Sequence, residues 1–106
     1  MSTSNKTTTA YAASLIVADR EATLKGVTGY NSKTSSQFIQ LHDSATLPAE
    51  SSAPKITFVV GAASNFSLDF GDDGRPFNNG IVICNSSTGA TKTIGSADCW
   101  FDAQLI

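Results

Sequence analysis

The sequence predicts an all-β fold, an antiparallel β-sandwich with jelly-roll-like character built from about seven or eight short strands. Three observations carry that expectation. Short segments dense in β-branched and aromatic residues recur along the chain, QFIQLHD, KITFVV, NFSLDF and GIVICN among them. Turns rich in glycine, serine and proline separate them. No stretch of about 12 residues sustains helical periodicity. At 106 residues the chain is one domain's worth, because a second independent core is hard to build at this length.

The elements follow in order. Met1 to Thr9 (MSTSNKTTT) has one charged side chain and nothing apolar after Met1. Such a segment cannot bury enough surface to fold by itself. It is expected to be a flexible polar arm, with ordered structure beginning near Ala10 and a single domain spanning residues 10–106. Tyr11 to Val17 (YAASLIV) is a short apolar run ending in β-formers, and a charged turn follows it. Ala22 to Tyr30 carries Gly26 and Gly29, and glycine inside a strand marks a bulge or a close backbone approach. In Gln37 to Asp43, Ile39 and Leu41 share one face while Phe38, Gln40 and His42 share the other. Ser44 to Pro54 has two prolines and no periodicity, the best linker in the chain. Lys55 to Val60, dense in β-branched and aromatic residues, is expected to be a buried strand. Asn65 to Phe70 alternates Phe66, Leu68 and Phe70 against Ser67 and Asp69. Gly71 to Pro76 turns the chain, and Gly80 to Asn85 is another dense apolar strand. A loop of small and polar residues then leads to Ala97–Leu105, with Cys99, Phe101, Ala103 and Leu105 on one face and Trp100, Asp102 and Gln104 on the other.

Composition narrows function. Hydrophobic residues make up 41% and charged residues 15%, the latter well below the roughly 25% of soluble domains. Polarity comes instead from 14 Ser and 12 Thr. A net charge of −2 with seven Lys+Arg argues against nucleic-acid or anionic-membrane binding, both of which need clustered positive charge. No apolar run approaches the roughly 20 residues of a membrane span. The N-terminus lacks the apolar segment of a secretion signal, so synthesis in a cytoplasm is expected. With a single histidine and no Cys–His cluster, no catalytic, cofactor or metal site is expected.

Several motifs have ordinary structural roles that compete with a functional one. Asp69, Asp72 and Asp73 around GDDGR supply oxygens, yet Gly71 and Gly80 stand where a calcium loop needs its third and twelfth ligands. A surface turn explains the segment. His42, Asp43 and Ser44 invite a triad, but adjacent strand residues point to opposite faces, and there is no G-x-S-x-G elbow. His42 is then a histidine on a less apolar strand face or in a subunit contact. If the last two strands pair as a hairpin, Cys84 lies opposite Cys99, either as two buried thiols or as a cross-strand disulfide. A reducing compartment favours thiols. N-x-[ST] triplets at Asn5, Asn65 and Asn85 arise by chance in so hydroxyl-rich a chain. Trp100 either completes a second core layer or anchors a partner.

The segments GYNSKTSSQFIQLHDSATLPAE, SNFSLDFGDDGRPFNNGIVICNSST and TKTIGSADCWFDAQ together resemble small virion structural proteins of tailed bacteriophages, capsid decoration (cement) proteins in particular. The resemblance spans roughly Leu24 to Gln104. It implies a non-enzymatic β-sandwich on the capsid surface, bound to the major capsid protein, often as a homotrimer, with polar N-terminal arms reaching to neighbours. It carries over no catalytic residue. A homotrimer also accords with apolar residues on both faces of Gln37–Asp43 and Lys55–Val60, which oligomer contacts can bury. Expected partner contacts are Trp100, Tyr30, His42 and the arm residues Thr7, Thr8 and Thr9. The alternative is a carbohydrate- or receptor-binding sandwich of a phage fibre or tail component, using exposed aromatics such as Trp100, Tyr11 or Tyr30.

Overall fold

The structure, a computed structural model, describes residues 4–106. Nine strands follow one another: β1 (Ser4–Thr7), β2 (Ser14–Ala18), β3 (Ala22–Asn31), β4 (Gln37–His42), β5 (Ile56–Val60), β6 (Ser64–Asp69), β7 (Arg75–Phe77), β8 (Ile81–Ser86) and β9 (Cys99–Leu105). The described residues contain no helix. One sheet runs β1-β9-β3-β6, with β7 also paired to β3; the other runs β2-β8-β4-β5. Every pairing is antiparallel. This strand order is that of a jelly roll, with β7 as an added strand.

Alternation along the strands builds the core between the sheets. Leu24 and Val27 of β3, Ile39 and Leu41 of β4, Phe66 of β6, Ile81 and Ile83 of β8, and Phe101 and Ala103 of β9 all turn inward and are buried. Phe58 of β5 meets Phe66 across the gap, ring to ring at 5.9 Å, and Phe66 meets Phe101 at 6.2 Å. Gly29 makes room for this stack, because a Cβ there would overlap the Phe66 ring and the Trp100 carbonyl.

Four expectations are corrected. Ordered structure begins before Ala10, since β1 pairs in register with β9, from Ser4 opposite Leu105 to Thr7 opposite Asp102. All four β1 side chains are exposed. The strand is held by main-chain bonds to an open sheet edge, which need no apolar side chain. β7 forms where a turn alone was expected, its Pro76 opposite Thr23 on a short edge strand that tolerates a missing N–H. β8 and β9 do not form a hairpin: they belong to different sheets. Finally, residues 44–54 are no linker. Together with residues 87–98 they fold over the outer face of the four-stranded sheet and bury Gln40, His42, Val82, Cys84 and Ser86. The second face of β4 is therefore covered by the chain itself, and its burial calls for no oligomer.

Candidate functional site

The two outer faces of the sandwich differ in kind. On the four-stranded sheet the covering loops are tied down by buried side chains. The Gln40 amide nitrogen donates to the carbonyls of Thr88 (2.9 Å), Gly89 (3.3 Å) and Thr91 (3.0 Å). That fixes its oxygen toward His42, whose Nε2 lies 3.0 Å away, so Nε2 carries the proton and donates. The Lys92 Nζ, on a residue 6% exposed, donates to the Pro48 carbonyl at 2.7 Å. Ser51 and Lys92, then Lys92 and Ser52, exchange main-chain bonds between the two loops. Burial, reinforced by the nearby Lys92 charge, holds the His42 pKa below its ordinary value. Burial pushes the Cys84 thiol up to about 11, against a smaller opposing effect of Lys92.

The thiols are free and buried. Cys84 faces the loop side of β8. Cys99 points between the sheets, where Gln37 Nε2 (3.3 Å) and Asn85 Nδ2 (3.5 Å) donate to its sulfur. The four-stranded sheet stands between them, which rules out the cross-strand disulfide. The GDDGR segment is a turn. The Gly71 amide donates to the Asp69 carboxylate at 2.9 Å, and Gly71 and Gly74 occupy the left-handed region at φ 80° and 70°, which glycine adopts without steric cost. Asp43 likewise serves structure, accepting from the Asn78 and Asn79 amides. These bonds, Asn79 foremost, hold its carboxyl below the usual range against a smaller desolvation effect.

Among the described residues, nothing covers the outer face of the five-stranded sheet, whose register places residues in three cross-strand rows. Asn5, Gln104, Gly26 and Asp69 form the first; Thr7, Asp102, Thr28 and Ser67 the second. Trp100, Tyr30 and Asn65 form the third, and Tyr11 packs on Trp100 with ring centroids 5.1 Å apart. Thr28 Oγ1 donates to Asp102 at 3.3 Å. A shallow depression of about 240 Å³ lies over the first two rows. Gly26 lies in its floor, and a Cβ there would stand 3.0 Å from the Leu68 carbonyl oxygen. A larger cleft of about 630 Å³ opens at the sandwich edge between β1 and β2, beside Lys6, Ile16, Asp19 and Arg20. It has no aromatic lining.

Of the residues the sequence marks as partner contacts, the fold brings Trp100, Tyr30 and Thr7 onto this one face. Thr8 is engaged in the fold, its hydroxyl accepting from the Phe101 amide at 3.1 Å. Thr9 is exposed beyond the end of β1. His42 is corrected: it is 3% exposed, on the other sheet and under a loop, packed within the chain. Sequence reasoning singled out neither Gln104 nor Gly26 as site residues. Gly26 carried a signal, a glycine within a strand, whose meaning emerges only with the register.

No family model matches the sequence, and neither does any curated protein. A solved structure described as the crystal structure of PirA aligns over 97% of this chain and 91% of its own, at 13% identity and a TM-score of 0.37. A likeness that remote bears on neither fold nor function.

Proposed function

We propose that the protein is a non-enzymatic virion structural protein, a decoration protein that adheres to the capsid surface through the side bearing the four-stranded sheet. The observation that carries this reading is the placement of exposed apolar residues. Val59, on the outer face of β5, is 62% exposed; Leu47 and Ile94, on the two covering loops, are 53% and 62% exposed. Three exposed large apolar groups on one side favour a contact surface there if they act together. The jelly-roll winding also recurs in viral capsid and lectin domains, a fold-level analogy. The resemblance to phage virion proteins supplies the partner, the major capsid protein, and the homotrimer. Self-association rests on that resemblance alone, now that β4 is covered within the chain.

Cosedimentation with undecorated heads tests this. The protein is expected to pellet with heads, and the double variant Val59→Asp, Ile94→Asp to stay in the supernatant while melting normally. Equal pelleting of both proteins, or of neither, overturns the reading. A second reading, a carbohydrate- or receptor-binding domain of a fibre or tail component, draws on the opposite face, where Trp100, Tyr30 and Tyr11 stand beside carboxylate, amide and hydroxyl groups.

A further inference from the structure

We infer that the bare face of the five-stranded sheet binds a neutral saccharide of two or three sugar rings, which stacks on Trp100 and Tyr30 and places its hydroxyls in the depression floored by Gly26. This deepens the carbohydrate-binding reading and is independent of capsid attachment. At a strand rise of about 3.3 Å per residue, the three rows span about 13 Å, the reach of a short oligosaccharide. One end offers aromatic surface: Trp100 is 37% exposed, and its tilted contact with Tyr11 fixes the indole without covering it. Such rings take the apolar C–H face of a pyranose while their polar edges stay in water.

The other end offers what hydroxyls need. Asp102 accepts one hydrogen bond, from Thr28, and Asp69 accepts from Gly71. Each carboxylate retains free lone pairs for sugar O–H donors, and such charge-assisted bonds are the stronger kind. Gln104, Ser67 and Thr28 add groups that both donate and accept. The nearby cation, Lys25, lies 3.7 Å from Asp72. The two carboxylates disfavour anionic sugars, phosphates and nucleic acid. The backbone groups of β3 and β9 are paired on both sides, so an extended peptide finds no strand edge there to extend. A surface aromatic at one end and hydrogen-bonding at the other suits a neutral sugar.

The test is a titration of isotope-labelled protein with lactose, maltose and cellobiose, followed by amide and indole NMR shifts. At least one disaccharide is expected to shift the Trp100 indole together with the Thr28 and Gln104 amides. Trp100→Ala and Asp102→Asn should each weaken binding at least about tenfold. Asp102 is half-buried on the outer face and Asn matches its shape, so the variant keeps the fold, and unchanged amide spectra elsewhere verify that. No shift with any of the three sugars overturns this inference and leaves the carbohydrate reading to larger or charged glycans on an array. Binding lost in Trp100→Ala but equal to wild type in Asp102→Asn overturns the depression alone.

Discussion

The two faces of this sandwich are made from similar strands and are put to opposite use. On the four-stranded sheet, residues 44–54 and 87–98 convert an outer face into a second interior. That interior contains polar groups, and each buried donor or acceptor needs a partner to avoid a desolvation cost. Gln40 meets the demand by holding three loop carbonyls at once. On the five-stranded sheet the same alternation leaves Thr28 and Ser67 in water and Asp102 half-buried at the surface, where a hydrogen bond contributes little net stability. A polar side chain therefore stabilises the fold on one face and remains at the solvent surface on the other.

The sharpest way to break this contrast is Gln40→Ala. It strips three carbonyls and His42 of their partner in a buried site, and should cost on the order of 3 kcal/mol by chemical denaturation. A loss under about 0.5 kcal/mol would mean the loops are held by something else. Next comes pH. The folded state holds His42 below its unfolded value of 6.5, so below that pH the unfolded chain takes up the proton first. Stability is full above 6.5 and falls as pH drops through it. Denaturation curves between about pH 8 and pH 5 should show this decline, and His42→Gln should flatten it. Asp43 adds a loss only at lower pH, below its ordinary value of 3.8.

Smaller effects sharpen the comparison from the other face. Removing residues 1–9 deletes β1, whose side chains are exposed, and the Thr8 bonds to Phe101, and should cost about 2 kcal/mol of pairing. A collapse of the melting transition would assign the arm to the core. Asp102→Asn and Thr28→Ala should each stay within about 0.5 kcal/mol of wild type. Thiol labelling offers a check without mutation. Buried Cys84, with its pKa raised to about 11, should resist alkylation in the native protein. Intact mass should show two labels only after denaturation.

Much of the fold was legible because strands with one face in the core announce their period. The alternation of Asn65–Phe70 and the split of Ile39 and Leu41 from Phe38, Gln40 and His42 both persist in the structure. Period identifies a strand and its faces but not its neighbour. The loop after β8 is long enough to cross between sheets, so Cys84 and Cys99 parted where a hairpin looked plausible. β1 escaped because an edge held by main-chain bonds has no side-chain signature. At the candidate site, outward-facing Trp100 was legible from parity alone. Its juxtaposition with Tyr30 depends on the pairing of β3 with β9, and the burial of His42 depends on where two irregular loops settle.

The register of the bare face has a further consequence. Its first row draws on positions 5, 104, 26 and 69, so neighbours in space come from the whole length of the chain. Such non-local pairing makes folding slow relative to helical proteins of equal size. It also means the surface has no linear counterpart. An antibody raised against the folded face should ignore every peptide cut from this sequence, and so would serve as a conformational reporter that the N-terminal strand, the C-terminal strand and the middle of the chain have assembled together.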